Sequence, residues 1–222
     1  MKKLRVLIAC EYSGIIRRAF QSLGHDAWSC DLLPSTMSGH HIQGDVTGVL
    51  NDGWDLMIAH PPCTYLTIAG ARYYNDPGRA EKRNEGIEFF RLLQNAPIKR
   101  IAIENPIPFK TVMSEVGRYH QRIQPYEFGD PHKKTICLWL KGLPPLMATD
   151  YIEVKPTGSC VRKSGPRAGK TYNYYYHQGK SGHKRSQSFP GIAKAMADQW
   201  GEWARPRDID LAKEISGYGA QA

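Results

Sequence analysis

Short apolar runs and glycine-bearing turns alternate along the first half of the chain. Runs of branched apolar residues predict buried strands, and apolar residues at helical spacing predict helices between them. The predicted strands cover residues 4–9, 27–30, 54–59 and 100–104, and the predicted helices cover residues 15–23, 79–95 and 109–116. Strands that alternate with helices are typical of a mostly parallel sheet covered on both faces. The pattern therefore predicts a doubly wound α/β fold.

The second half of the chain predicts an antiparallel edge and a last helix. Residues 123–128 and 135–140 are joined by a connection that contains Gly129 and Pro131, which is typical of a hairpin. A helix with one apolar face is predicted over residues 191–204. The expected division is a core of residues 1–145 and 186–204, a small basic region of residues 146–185 and a polar tail of residues 205–222.

The charge of the chain is positive and unevenly spread. A formal net charge of +9 and a pI near 9.3 over 222 residues favour a polyanionic partner such as nucleic acid. No Asp or Glu occurs from Val154 to Ala197, where lysine, arginine and tyrosine are frequent. We interpret this stretch as a small lobe or loop that contacts phosphates; the alternative is a solvated basic surface without a partner.

The cysteines indicate the compartment and exclude some kinds of site. Five cysteines, with no Cys-x-x-Cys pair, argue against a disulfide framework and a thiolate zinc site, and they predict reduced thiols in the cytoplasm. Cys10, Cys30 and Cys137 lie in or at the end of apolar runs and fit small buried residues. The first apolar run is too short for a signal peptide, and no run is long enough to span a membrane.

Cys63 differs from the other cysteines because it follows two prolines. Pro61 and Pro62 end the predicted strand, since proline cannot donate a ladder hydrogen bond. Glu104 ends the next predicted strand and is followed by Asn105. The carboxyl ends of parallel strands meet at the edge where open α/β sheets bind ligands, so we expect Cys63 and Glu104 to lie together. The predicted chemistry is a cysteine nucleophile beside a carboxyl group.

Acidic residues also follow the first strands. Glu11 comes after the first strand with Ser13 and Gly14, where a helix opens. Asp31 ends the second strand, where a carboxylate of this fold class binds ribose hydroxyls, and Asp45 is placed to accept from an adenine amino group. Each of these residues is also compatible with a simple turn. The dinucleotide fingerprint G-x-G-x-x-G is absent.

The order of these motifs resembles the DNA cytosine-5 methyltransferases, and most closely their short phage and prophage form. Pro61-Pro62-Cys63 is similar to the family's nucleophile motif, and Glu104-Asn105 is similar to its acidic motif. Cys10–Gly14 stands in the place of the first cofactor motif. Phe128–Leu138 looks like the family's Phe-Gly-x-Pro-Gln-x-Arg-x-Arg segment, and Arg185–Ala193 looks like the closing motif.

The resemblance implies a Rossmann-like methyltransferase fold and methyl transfer from S-adenosylmethionine to C5 of a cytosine flipped out of double-stranded DNA. It implies that Cys63 adds to C6 and that Glu104 protonates or hydrogen-bonds N3. The cofactor-binding residues it implies are Glu11, Tyr12, Ser13, Gly14, Asp31, Asp45, Pro61 and Ser188. The expected DNA-binding residues are Arg72, Lys133, Lys134, Arg162, Lys163, Arg167, Lys170 and Tyr174. We expect a monomer that binds DNA and no membrane.

The chain departs from the family pattern at three places, one of which is the region between Leu143 and Arg185, which is short for a target-recognition domain. The first motif keeps only Gly14, and His132, Lys133 and Lys134 replace a glutamine and two arginines, so the planar fork of arginine is absent. Two alternatives stay open. One is an amino-methyltransferase acting on N4 of cytosine or N6 of adenine, whose motif has an aromatic residue where this chain has Cys63. The other is a DNA-binding protein that kept the fold and lost catalysis.

Overall fold

A computed structural model of the chain describes residues 3–166, 168–175 and 187–203. The elements, in chain order, are β1 (Arg5–Ala9), α1 (Ile15–Ser22), β2 (Asp26–Asp31), β3 (His41–Gln43), β4 (Leu56–Ala59), α2 (Arg79–Gln94), β5 (Ile101–Asn105), α3 (Lys110–Val116), β6 (Gln121–Ile123), β7 (Ile136–Lys141), β8 (Gly158–Val161), β9 (Thr171–Tyr174) and α4 (Pro190–Trp203). Short 3₁₀ turns cover Val46–Val49, Ile68–Tyr73 and Pro125–Glu127. Among the described residues, no helix combines the length and the apolar character needed to cross a membrane.

The main sheet has seven strands in the order β3-β2-β1-β4-β5-β7-β6. The five strands from β3 to β5 are parallel, and β7 is antiparallel to both of its neighbours. β8 and β9 form a separate antiparallel pair in the basic region. The predicted fold class, doubly wound and mostly parallel with an antiparallel hairpin edge, is confirmed.

Alternate residues of the central strands enter two separate cores. Val6 and Ile8 of β1 pack on one face of the sheet with α1 and α4, and Leu7 and Ala9 pack on the other face with α2 and α3. Strands buried on both faces need apolar residues at successive positions, which is why these strands are continuous apolar runs. Trp200 of α4 is fully buried in the first core, and its indole nitrogen donates to the Pro144 carbonyl at 2.9 Å.

The structure differs from the prediction at β6 and at β3. The strand predicted over residues 123–128 is wrong in extent, because β6 ends at Ile123. Pro125 begins a 3₁₀ turn there, and the Gln124 amide donates to the Glu127 side chain at 2.8 Å in a capping box. β3 was not predicted, because Ile42 is the one apolar residue in its three positions. The predicted tail of residues 205–222 lies outside the described residues.

Candidate active site

The topology brings the predicted site residues to one edge of the sheet. β1, β2, β4 and β5 are parallel, so the residues at their carboxyl ends, among them Asp31, His60 and Glu104, lie along the same edge. β7 runs in the opposite direction, and Lys134, two residues before its start, therefore reaches this edge as well. The carboxyl edge is the usual ligand-binding side of an open α/β sheet.

The segment after β4 is held against two neighbouring strands. The His60 amide donates to the Ala9 carbonyl at 2.9 Å, which extends the pairing with β1 by one residue. The buried Asn105 side chain donates from Nδ2 to the Pro61 carbonyl at 3.0 Å. The turn that follows Cys63 closes back on the Cys63 carbonyl. These bonds fix the point at which Cys63 leaves the sheet.

Cys63 is half-buried, and both Glu104 and Lys134 act on its thiol. Burial raises the pKa of Cys63, while the Lys134 charge and a backbone hydrogen bond lower it, and the Glu104 charge raises it further. The net direction is upward, so the side chain is mainly a thiol at neutral pH. The predicted pair of Cys63 and Glu104 therefore lies within electrostatic reach, with a cation beside it.

The Glu104 carboxylate is paired with His60, a residue that was not predicted as part of the site. Nδ1 of His60 lies 2.8 Å from Oε2 of Glu104, and the two side chains are 14% and 13% exposed. Burial would raise the pKa of Glu104, but the hydrogen bond and charge of His60 and the charge of Lys134 hold it below its ordinary value. The available sequence signal was that His60 and Glu104 each directly follow an apolar run. In the structure Ala59 is opposite Ile103, which puts the next residues, His60 and Glu104, side by side.

A cavity of about 180 Å³ lies at the carboxyl ends of β1 and β2 and extends to the segment after β4. Its lining residues are Cys10, Cys30, Asp31, Leu32, Gly44, Asp45, Val46, Pro62 and Phe89. Two of the predicted cofactor-binding acids, Asp31 and Asp45, are thus brought together. Pro62 lines the cavity, whereas the predicted Pro61 is buried and does not. Phe89 of α2 was missed, because its neighbours on that helix account for the predicted apolar face.

Both acids of the cavity also stabilise the local backbone. Asp31 accepts the Leu33 amide on Oδ1 at 2.9 Å, and Asp45 accepts the Thr47 amide on Oδ1 at 2.9 Å. The second bond caps the 3₁₀ turn that follows Asp45. Each carboxylate therefore uses one oxygen in a turn, and the turn interpretation and the cavity interpretation of these residues are compatible.

Cys10 does not fit the expectation of a small buried core residue. It is half-buried, lines the cavity and has a φ of 57°, a left-handed backbone conformation that no other described residue except glycine adopts. Burial, followed by the charge of Asp31, raises the pKa of Cys10 to about 12. The thiol therefore remains protonated and contributes an uncharged, weakly polar wall to the cavity.

Of the first motif, only Cys10 lines this cavity, and the Glu11 side chain lies at the start of α1 instead. The buried Glu11 accepts the Ser13 hydroxyl at 2.7 Å and the Ile16 amide at 3.2 Å, both on Oε1. A carboxylate at a helix start is favourable because it accepts the free amides there. Oε2 of Glu11 is buried and has no hydrogen-bond partner among the described residues. The Tyr12 carbonyl accepts the Thr36 amide at 3.0 Å.

Arg17 is a fully buried arginine that was not predicted as part of the site. Its guanidinium donates to the Ser29 hydroxyl at 2.9 Å and to the carbonyl oxygens of Met37, Ser38 and His40 at 2.8, 3.0 and 3.1 Å. The first contact is on β2, and the other three are on the segment between β2 and β3. Arg17 therefore holds this segment, which begins at the cavity, against the first helix.

The start of α4 folds back on the segment before β7. Asp130 accepts the Gly191 amide on Oδ2 at 2.9 Å. Lys134 Nζ lies 5.5 Å from the centre of the Phe189 ring, which places the start of α4 beside the Cys63 site. Ser188 precedes this ring, is half-buried and does not line the cavity. The structure thus joins the two predicted late motifs but separates Ser188 from Asp31.

The predicted DNA-binding cations fall into two groups. Lys134 is half-buried at the site, whereas Lys133 is exposed with Nζ 3.2 Å from the Tyr175 hydroxyl and 4.2 Å from the ring centre. Arg72 is exposed in the segment after Cys63, and its guanidinium lies 4.6 Å from the centre of the Tyr73 ring.

The basic region presents its cations to solvent. Arg162, Lys163, Lys170 and Tyr174 are all exposed on or beside the β8–β9 pair. The Arg162 amide donates to the Lys170 carbonyl at 3.0 Å, which brings the two cationic residues to neighbouring positions. Arg167 lies outside the described residues.

No family model and no curated protein matches the chain. Among solved structures, it is similar to a prophage-encoded E. coli protein assigned as a DNA modification methyltransferase, with 14% identity, a TM-score of 0.46, and 89% of this chain and 70% of that one covered. It is also similar to the Entamoeba histolytica methyltransferase EhMeth, with 17% identity, a TM-score of 0.45, and 68% and 58% covered. The S. pombe methyltransferase Dnmt2 gives 16% identity, a TM-score of 0.38, and 63% and 49% covered.

Proposed function

We propose that this chain is an S-adenosylmethionine-dependent DNA methyltransferase that methylates C5 of cytosine. The observation that supports this most is the adjacency of two sites along the chain. Pro62 lines the cavity, and the next residue is Cys63, which Glu104 and Lys134 flank. A methyl donor in the cavity and a base over Cys63 would therefore be neighbours, as methyl transfer between them requires.

The lining of the cavity fits the proposed cofactor. Val46, Pro62 and Phe89 offer apolar contact for an aromatic base, and Asp31 retains Oδ2 for ribose hydroxyls. Glu11 does not line the cavity but follows Cys10 of its wall, and its buried Oε2 has no partner in the described part of the chain, which suits the cofactor's ammonium group. When bound, the cofactor supplies a methyl group carried on a sulfonium.

Cys63 is the proposed nucleophile. C5 of cytosine is a poor nucleophile until a sulfur adds to C6 and converts the ring to an enamine. Because burial raises the pKa of Cys63, the proton stays on sulfur in the free protein and passes to water as the S–C6 bond forms. The Lys134 ammonium favours the developing thiolate.

Glu104 is the proposed partner of the base edge. N3 of cytosine is an acceptor, so it pairs with a carboxyl group that shares a proton with it. The pKa of Glu104 lies below its ordinary value in the free protein, so this proton is taken up when the base binds. The shared proton then stabilises the negative charge that develops at N3 as Cys63 adds.

Double-stranded DNA is the proposed partner, and the exposed cations support it. The net charge of +9 and the acid-free stretch attract phosphates without regard to sequence. A stacked base cannot reach a half-buried thiol, so the target cytosine must leave the helix.

The test is a covalent trap with duplex DNA that carries 5-fluorocytosine at every cytosine, in the presence of S-adenosylmethionine. Fluorine at C5 cannot leave as a proton does, so the Cys63 adduct should persist through denaturing electrophoresis. Cys63→Ser should abolish it. Cys160→Ser is the matched control, because Cys160 is an exposed thiol in the basic region, and the adduct should remain.

Three results would contradict the proposal. An adduct that persists in Cys63→Ser excludes Cys63 as the nucleophile. Methyl transfer to N4 of cytosine or N6 of adenine without an adduct indicates an amino-methyltransferase. DNA binding without any methyl transfer indicates a binding protein with this fold.

A further inference from the structure

His60 stands between the two strand ends that carry the proposed nucleophile and its carboxyl partner. Its Nδ1 lies 2.8 Å from Oε2 of Glu104, and its ring is 14% exposed. The other ring nitrogen, Nε2, is buried and has no hydrogen-bond partner within the described ranges. The Glu104 carboxylate is therefore the polar group that orients the His60 ring in this part of the chain.

The two strand ends are already joined without this pair. Asn105 donates to the Pro61 carbonyl at 3.0 Å, and the Ile68 amide donates to the Ile107 carbonyl at 3.0 Å. A buried ion pair contributes little net stability, because the loss of hydration offsets the attraction between the charges. The need to join the two strand ends therefore does not explain the histidine and the glutamate at these positions, and neither does the small net stability of their ion pair.

We propose that His60 is a positioning residue for the methyl-transfer reaction, which holds Glu104 by Oε2 so that Oε1 is left for the base above Cys63. The inference rests on the proposed function and extends it by one residue. A carboxylate held at one oxygen loses less conformational freedom when the other oxygen engages the base, so the barrier to addition is lower.

The charges around Glu104 make His60 the main influence on it. Glu104 meets His60 and Cys63 from the end of β4, Lys134 from the segment before β7, and Cys137 on β7. Burial raises the pKa of both thiols, so they are uncharged at neutral pH. His60 acts on Glu104 through both a hydrogen bond and a charge, and Lys134 through a charge alone. Removal of His60 should therefore raise the pKa of Glu104.

The experiment compares His60→Ala and His60→Asn in the full chain. The asparagine amide can donate from nearly the position of Nδ1 but carries no charge. The control is His120→Asn, an exposed histidine whose Nδ1 accepts the Leu140 amide at 3.0 Å. Each variant is titrated by carbon NMR with glutamate labelled at the carboxyl carbon, and the Glu104 signal is assigned by its loss in Glu104→Gln. Methyl-transfer rates and the KM for S-adenosylmethionine are measured in parallel.

We expect the pKa of Glu104 to be higher in both His60 variants than in wild type and to be unchanged in the His120→Asn control. The turnover rate should fall about 100-fold in His60→Ala, which is the loss that misplacement of a catalytic group by about 1 Å can cause. We expect partial recovery in His60→Asn and an unchanged KM for S-adenosylmethionine. An unchanged Glu104 titration, or equal loss of turnover in both variants, would overturn the proposal. His60→Asn decides alone if His60→Ala does not fold. If the wild-type chain transfers no methyl group, the proposed function fails and the reaction role with it, whereas the titration still reports whether His60 holds Glu104.

Discussion

Replacement of Arg17 by methionine tests whether one buried cation holds the segment that begins at the cavity. The side chain is fully buried and donates to one hydroxyl and three carbonyl oxygens at 2.8 to 3.1 Å. Methionine has a similar length and no donor. The segment of residues 37–40, which carries the three carbonyl groups, would lose its contact with α1.

The magnitude follows from these contacts. A hydrogen bond from a charged group contributes about 1.5–3 kcal/mol, but the three carbonyl groups lie on a segment near solvent and can turn to water. Ser29 is buried and keeps a contact with His41 Nδ1 at 2.9 Å, and methionine also removes the cost of a buried charge. We therefore expect a loss of about 2–3 kcal/mol, which corresponds to a Tm lower by about 4–12 °C in a domain of this size.

The assay is calorimetry with S-adenosylmethionine titration, and Arg18→Met is the matched control. Arg18 is the next residue of α1 and is exposed, so its replacement should change the Tm by less than about 1 °C. Arg17→Lys should show most of the same decrease in stability as Arg17→Met, because lysine cannot form the planar fork of hydrogen bonds. If Arg17→Met and Arg18→Met have the same Tm, the Arg17 guanidinium does not hold the segment of residues 37–40. We also expect weaker binding of S-adenosylmethionine, the proposed cofactor, in Arg17→Met, since Leu32 of the cavity lies on the same connection.

Two further predictions concern Glu104 and the basic region. Glu104→Gln should lower the turnover rate about 100-fold with little change in cofactor affinity. Because the pKa of Glu104 is lowered in the folded protein, the ionised carboxylate stabilises the fold above the unfolded pKa of about 4.3, and this stabilisation is lost as the pH falls through the folded pKa. The urea midpoints of wild type and Glu104→Gln should therefore differ at pH 7 and converge in acid. Equal midpoints at pH 7 would contradict it. Joint replacement of Arg162, Lys163 and Lys170 by glutamine should reduce the slope of log affinity against log salt by about 2.7, at about 0.9 per phosphate contact. The same replacement of Lys99, Arg100 and Lys141, at the opposite edge of the sheet, should leave the slope unchanged; equal slopes in both variants would exclude the basic region from DNA binding.

The sequence was sufficient for the elements with long apolar patterns. β1, β4 and β5 were predicted because burial on both faces leaves only apolar residues over 6–9, 56–59 and 101–103. α2 was predicted from its one apolar face. β8 and β9 escaped prediction because they are exposed and have no apolar alternation, so only their pairing defines them.

The candidate site was predicted in its parts but not in its charges. Two strand ends in neighbouring parallel strands are enough to place Cys63 beside Glu104. The position of Lys134 depends on the antiparallel pairing of β7 with β5, which the predicted hairpin alone does not reveal. The sequence therefore suggested a phosphate contact for Lys134. Arg17 did leave a signal, since it lies between Ile16 and Phe20 on the buried side of a short helix. A cation in that position needs buried acceptors, and these come from a distant segment.

The packing of α1 against α4 sets an order of events during synthesis. Val6, Ile8 and Ile58 belong to the core that α4 completes, and the residues of α4 leave the ribosome last among the described elements. Until then, one apolar face of the sheet lacks part of its cover, and an incomplete chain is prone to aggregate. The other face, covered by α2 and α3, can close much earlier. The incomplete chain thus has a sheet with one face covered and the other partly exposed to water. The hydrogen bond between Asp130 and the Gly191 amide forms only when the last helix has been synthesised.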